Sequence, residues 1–109
     1  MLYRAYVAKL TQSGSGAPVA TVLQNDFVEG EFTWTRTGTG QYKLTYSVGG
    51  TFDSSKTWVM IDSVASGDGN FAAAHRSSNT EIIVTYGNGV NTFFDSGLLR
   101  TSFELRVYQ

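Results

Sequence analysis

Residues that could take part in catalysis are few in this chain. His75 is the only histidine, and the chain has no cysteine. A histidine base needs a nucleophile and an orienting group beside it. The one serine between two glycines, Ser15, stands in a segment expected to turn between strands, not in the strand-to-helix turn of a hydrolase nucleophile. The nine acidic residues show no spacing that pairs two of them across a cleft. We therefore interpret His75 as an ordinary polar or loop residue and predict no enzymatic activity and no catalytic residues.

Two segments resemble ligand-binding motifs but lack the context that those motifs need. Residues 67–72 read Gly-Asp-Gly-Asn-Phe-Ala and match the Gly-x-Gly-x-x-Ala pattern of dinucleotide-binding proteins. That pattern holds a pyrophosphate at a helix N-terminus, whereas no helix is expected here and Asp68 would repel a phosphate. Asp62, Asp68 and Asn70 could offer oxygen ligands to Ca²⁺, but their spacing is not that of an EF-hand and carboxylates are too few. We predict a turn at residues 67–72, no metal site and no cofactor.

Length and composition indicate one domain over residues 1–109. The net charge of −1 lacks the basic excess that phosphate neutralisation requires, so a nucleic-acid partner is not expected. The absence of cysteine excludes a disulfide framework. The first residues read as strand, with no apolar segment of a signal peptide, and no run approaches the roughly 18–20 apolar residues of a spanning helix. We expect a protein made in the cytoplasm, with no membrane partner.

Short alternating segments between glycine-rich turns predict an all-β fold. In residues 41–48, Tyr42, Leu44 and Tyr46 alternate with polar residues, as in a strand with one buried face. Candidate strands are residues 2–11, 19–24, 31–37, 41–48, 57–65, 70–75, 80–86 and 102–108. Gly38-Thr39-Gly40 predicts a hairpin between the third and fourth strands. The pattern favours an antiparallel β-sandwich of about eight strands, jelly-roll-like, with an immunoglobulin-like sandwich as the alternative.

Aromatic residues are numerous for so small a core: seven Phe, six Tyr and two Trp. Tyr3 and Tyr6 stand three positions apart on a strand, so they must face opposite sides, and of the adjacent Phe93 and Phe94 one must face outward. Residues 57–65 are apolar on both faces except at Asp62, which suits a central strand or a subunit contact. Three interpretations of the surplus aromatics stay open: exposure at edges and loops, burial between subunits, or a platform for stacking sugar rings.

Three stretches carry a resemblance to a known group of proteins. They are residues 9–25 (KLTQSGSGAPVATVLQN), 32–42 (FTWTRTGTGQY) and 98–108 (LLRTSFELRVY). They resemble short uncharacterised proteins encoded by tailed phages and prophages of Bacteroidetes and by marine viruses. The resemblance implies a virion-associated or tail-region protein, such as a decoration, fibre or receptor-binding module. It transfers no functional residue, and residues 47–78 match nothing in that group.

Together these observations predict a non-enzymatic phage virion or tail protein that self-associates as a homotrimer and resides in the virion. The alternative is a carbohydrate-binding module that uses exposed aromatics on host-surface glycans; other virion proteins are further possible partners. Ligand-binding residues are not identified by the sequence. Subunits would meet through outward residues of segment 58–64 or through the terminal strands. Val59→Asp or Ile61→Asp should then break assembly or folding, and Lys43→Glu should do little.

Overall fold

The computed structural model describes residues 2–62, 69–89 and 91–109. These residues form eight strands: β1 (Tyr3–Thr11), β2 (Val19–Asn25), β3 (Phe32–Gly38), β4 (Gln41–Tyr46), β5 (Thr57–Ile61), β6 (Phe71–Ser78), β7 (Glu81–Gly87) and β8 (Thr101–Tyr108). Sheet A has the order β2-β1-β8-β5 and sheet B the order β3-β4-β7-β6. Every strand pair is antiparallel. The predicted eight-stranded antiparallel sandwich is confirmed.

Each sheet has four strands, whereas a constant-type immunoglobulin domain divides its strands four and three. Three hairpins stay within one sheet: β1–β2, β3–β4 and β6–β7. The predicted β3–β4 hairpin is confirmed, and its tip includes Gly40 with a φ of +63°, which a residue with a Cβ adopts only at a cost. The last part of the segment expected at 57–65 lies outside the described residues.

The core lies between the sheets and follows the predicted alternation. Tyr42, Leu44 and Tyr46 of β4 are buried, and Phe103 and Leu105 of β8 lie opposite them in the other sheet. Full burial of each such aliphatic or aromatic side chain stabilises the fold by roughly 1.5–3 kcal/mol before entropy is subtracted. Four aromatic side chains pack against one another in the core, with contacting ring centroids 4.5–6.4 Å apart: Phe27, Phe32, Tyr46 and Phe52. Part of the aromatic surplus is therefore internal.

Strand β5 lies at an edge of sheet A, so the expectation of a central place for it is wrong. Val59 packs against the core and Ile61 is buried, while Trp58 and Met60 face outward and are exposed. Trp58 and Met60 make the solvent-facing side of β5 apolar, so the strand is apolar on both faces. Tyr6 is buried and Tyr3 faces the outer side of sheet A, as the spacing required.

Candidate assembly surface

The two edge strands of sheet A contain no charged residue. β2 reads VATVLQN and β5 reads TWVMI, whereas the edges of sheet B carry Arg36 on β3 and His75 and Arg76 on β6. Among the described residues, β2 pairs only with β1, and β5 pairs only with β8. Natural edge strands are usually protected by charges or proline, because their free N–H and C=O groups template further pairing. We call β2 and β5 the apolar edges.

Large apolar side chains project along both apolar edges. On β2, Val19 is 69% exposed, Leu23 is 62% exposed and Val22 is 48% exposed. On β5, Met60 is 52% exposed and Trp58 is 39% exposed. Leu23 projects because the register between β1 and β2 shifts there, which makes it the additional residue of a bulge. These five residues are more than half of the large apolar side chains that the described chain leaves exposed.

The outer face of sheet A beside β5 carries a preassembled aromatic cluster. It consists of Tyr3, Trp58, Arg106 and Tyr108, which share a face because their strands pair Tyr3 with Tyr108 and Trp58 with Arg106. The Arg106 guanidinium carbon lies 4.5 Å from the Tyr3 ring centroid and 4.8 Å from the Trp58 ring centroid. Both distances suit cation–π contact. The cluster thus links β1, β8 and β5 across the sheet.

Hydrogen bonds fix the Arg106 side chain within this cluster. Arg106 donates to the Tyr108 hydroxyl at 3.3 Å and to Glu104 Oε2 at 2.6 Å. The Tyr108 and Glu104 acceptors raise the pKa of Arg106 above its ordinary value, so it stays charged at every accessible pH. Since Glu104 neutralises that charge locally, the surface presents Trp, Tyr, Met and Arg groups with little net charge. This is the composition of the centre of protein–protein interfaces.

A cavity of about 270 Å³ opens next to Met60 on the same face. Its lining consists of Val7, Met60, Ile61, Asp62, Ser102, Phe103 and Glu104. Lys9 lies at its rim and donates from Nζ to Ser102 Oγ at 2.6 Å. The cavity can receive an apolar side chain, because Val7, Met60, Ile61 and Phe103 make four of its seven lining residues apolar and Glu104 is paired with Arg106.

A second group of polar residues has the types needed for chemistry but is internally satisfied. This polar clip consists of Gln12, Arg36, Tyr42 and Asp95. Arg36 forms a two-pronged ion pair with Asp95, Nη2 to Oδ2 at 2.7 Å and Nε to Oδ1 at 3.2 Å. The Arg36 pair, the Gly40 N–H and the Tyr42 hydroxyl together hold the pKa of Asp95 well below its usual range.

The polar clip fastens the segment around Asp95 to sheet B. Tyr42 is fully buried, and its hydroxyl lies 2.7 Å from Gln12 Oε1 and 2.9 Å from Asp95 Oδ1. Gln12 Oε1 also accepts from the N–H of Ser96, which has a φ of +65°. Burial is the main reason that the pKa of Tyr42 is raised. The clip therefore positions the segment around Asp95 on sheet B.

The residues that the sequence singled out for chemistry lie partly within the described part of the chain. His75 is exposed on the outer face of β6, opposite Ile83 of β7. Within residues 67–72, residues 67 and 68 lie outside the described part, and β6 begins at Phe71, so a strand stands where a dinucleotide motif needs a helix. The chain segments that the structure describes hold no group of three His, Cys, Asp or Glu residues placed to bind a metal ion.

The aromatic cluster and the polar clip were missed by sequence reasoning. The alternation in 102–108 already places Glu104 and Arg106 on the outward face, which was a usable signal for the Arg106 pair. The neighbours of Arg106 on β1 and β5 depend on strand order, which a single sequence does not reveal. The clip joins Arg36 of β3 and Tyr42 of β4 to residues from distant parts of the chain and had no local signal.

Comparison of the chain with protein-family models, with curated proteins and with solved structures found no match. Across the described residues, no helix is long and apolar enough to span a membrane. The chemistry of the apolar edges and the aromatic cluster is thus the main guide to function.

Proposed function

We propose that the protein is a non-enzymatic structural module that self-associates through the apolar edges of sheet A as a homotrimer. The observation that carries this proposal is that both edge strands of one sheet lack every charged residue while both edges of the other sheet carry one. An unprotected edge favours strand addition. Five large side chains exposed along these strands would be removed from water on contact.

A ring of three copies suits this arrangement because its contact joins two different surfaces. In a cyclic trimer, each interface is heterologous, so one face of a subunit meets another face of the next. The β5 edge offers Trp58, Met60 and the neighbouring cavity. The β2 edge offers Val19 and Leu23, which are of a size to enter that cavity. One molecule thus carries both halves of the contact.

Electrostatics favour a second copy over a charged partner. Neither apolar edge has a charge that would repel its counterpart, and Glu104 neutralises Arg106 beside β5. A partner with a strongly charged surface would gain nothing at β2 or β5 and would desolvate its own charges. A second copy of the chain, which presents the same uncharged edges, therefore fits this surface better than a charged partner does.

A role in a phage particle follows from the sequence resemblance of residues 9–25, 32–42 and 98–108. A cysteine-free chain suits a particle assembled in bacterial cytoplasm. We infer a virion or tail component whose further partners are other virion proteins. Symmetric rings of β-sandwich modules suit decorations and fibres, a step that rests on analogy of fold.

The test is the absolute molar mass by light scattering after size-exclusion chromatography. We expect the wild type at about three times the single-chain mass of 11.9 kDa. Met60→Asp on the β5 edge and Leu23→Asp on the β2 edge should each give a folded monomer, because each buries an unpaired charge at the same contact. Thr35→Asp is the matched control, since Thr35 is exposed on an edge strand of sheet B, opposite Lys43.

The control should keep the wild-type mass, and circular dichroism should show an unchanged fold in all three variants. A wild-type monomer would refute the proposal. An oligomer that survives Met60→Asp would refute the contact at β5. A mass of two chains that survives Leu23→Asp would contradict the head-to-tail trimer.

A further inference from the structure

The outer face of sheet B carries an aromatic cleft that the assembly proposal does not use. It is a cavity of about 300 Å³. Its lining consists of Phe71, Ala73, His75, Thr85, Gly87 and Phe93, with Gly89 behind Phe71. The volume lies at the lower end of the range of small-molecule sites. The cleft lies on the sheet opposite to the apolar edges, so both surfaces can be occupied at once.

Strand pairing places the two phenyl rings on either side of a residue without a side chain. Gly87 pairs with Phe71 of β6 on one side and forms a bridge with Phe93 on the other. Residues directly opposite in antiparallel pairs project to the same face, so both rings stand on the outer face with Gly87 between them. Neighbouring strands are about 4.8 Å apart, which separates the two Phe backbones by roughly 10 Å.

Two backbone approaches fix this geometry. A Cβ added at Gly87 would lie 2.1 Å from the Thr92 carbonyl oxygen, so the backbone that carries Phe93 packs directly against Gly87 and leaves no room for a side chain there. A Cβ added at Gly89 would lie 2.5 Å from Cζ of Phe71, which shows that this ring packs directly on the glycine backbone. Asp95 of the polar clip anchors the chain two residues after Phe93. The rings are therefore held apart before any ligand arrives.

The polar side chains of the cleft are those of a threonine and a histidine. Thr85 and His75 lie beside the rings, and Gln41 is the neighbour of Thr85 on β4. Among the described lining residues no Asp, Glu, Lys or Arg is present. A phosphate or carboxylate would thus lack a fixed counter-charge, while hydroxyl groups of a neutral ligand would find a threonine hydroxyl and an imidazole to bond.

We propose that this aromatic cleft binds one ring of a neutral pyranose sugar. The face of an aromatic ring is electrically negative, and the C–H hydrogens on one face of a pyranose are slightly positive, so the two attract on stacking. Phe71 and Phe93 supply the stacking surfaces, and the small side chain of Ala73 leaves the space for the ring. His75 and Thr85 hydrogen-bond the equatorial hydroxyls at its edge.

The test is a titration of ¹⁵N-labelled protein followed by two-dimensional NMR. The probes are the methyl glycosides of glucose, galactose, mannose and N-acetylglucosamine, each beside its trisaccharide, so that a single ring and a glycan chain are distinguished. We expect one of them to shift the amide signals of His75, Thr85 and Gly87. Phe93→Ala and Phe71→Ala should weaken that binding by about two- to tenfold. Ala73→Leu should block it by filling the cavity.

Phe94→Ala is the matched control, because Phe94 is the adjacent phenylalanine, is exposed and is not among the residues that line the cleft. It should bind as the wild type does. Met60→Asp should also bind normally, which separates this site from the assembly surface. The proposal is overturned if none of the sugars shifts the spectrum, if the shifts map away from the cleft, or if Phe94→Ala weakens binding as much as Phe93→Ala. Binding of a neutral aromatic peptide in place of every sugar would equally overturn it.

Discussion

Removing the Tyr42 hydroxyl tests whether the polar clip stabilises the fold. Tyr42→Phe keeps the buried ring and deletes one oxygen that lies 2.7 Å from Gln12 Oε1 and 2.9 Å from Asp95 Oδ1. That hydroxyl has a single proton, so it donates to only one of these two acceptors at a time. Gln12 Oε1 keeps the Ser96 N–H at 2.7 Å, and Asp95 Oδ1 keeps the Gly40 N–H at 2.9 Å.

Neither acceptor is therefore left without a donor, and the cost is that of one buried hydrogen bond. We expect the free energy of unfolding to fall by about 1–1.5 kcal/mol. For a domain of this size, each kcal/mol corresponds to about 4–8 °C in Tm. The assay is urea unfolding and thermal melting of the wild type and the variant side by side, with the m-value checked for equality.

Tyr46→Phe is the matched control on the same strand. Tyr46 is as buried as Tyr42, but its hydroxyl makes no hydrogen bond of normal geometry among the described residues. Removing an unpaired buried hydroxyl should leave the stability unchanged or raise it. The reasoning is refuted if Tyr42→Phe is as stable as Tyr46→Phe, or if the order of the two is reversed.

Three further predictions concern pH, a turn and the two faces of the sheets. The pKa of the Asp95 carboxyl is depressed in the folded state, so its ionised form stabilises the fold above the unfolded pKa of about 3.9, and this stabilisation is lost as the pH falls below that value. The Tm of Asp95→Asn should therefore fall less steeply than the wild-type Tm as the pH is lowered. Gly40→Ala should cost at least about 2 kcal/mol in urea unfolding, because φ is +63° and the new Cβ would lie 2.5 Å from the Phe94 nitrogen. Ile61→Asp should unfold the chain at room temperature, because Ile61 is in the core. Lys43→Glu should lower the free energy of unfolding by less than about 1 kcal/mol, because Lys43 makes only a surface pair with Glu81. Equal circular dichroism spectra for the two variants would contradict this assignment of faces.

Local alternation was enough to predict strands and their buried faces. In β4 and β8, every second residue is apolar, and those residues are the ones that the core buries. The β3–β4 hairpin was equally predictable, because Gly38-Thr39-Gly40 places two glycines in a short loop between two alternating segments. Such signals lie within a few neighbouring residues, so one sequence contains them in full.

Strand order and side-chain clusters were beyond the sequence because they depend on contacts between distant segments. The apolar pattern of strand 57–61 is compatible with a central position in a sheet and with an edge. Its position at the edge is known from the structure, in which its described residues pair with β8 and with no other strand. Phe71 and Phe93 lie on either side of Gly87 because Gly87 pairs separately with each of them. Gln12 and Asp95 come from opposite ends of the chain and are brought together by Tyr42 and by the Ser96 N–H.

Self-association through the apolar edges is tested most directly by the molar mass of the wild-type protein over a dilution series. Light scattering is read at each concentration, with Met60→Asp run in parallel. We predict a constant mass of about three times 11.9 kDa for the wild type and a mass of 11.9 kDa for the variant. A wild-type mass of 11.9 kDa at the highest concentration would contradict the assembly proposal and leave Trp58, Met60 and Leu23 in water.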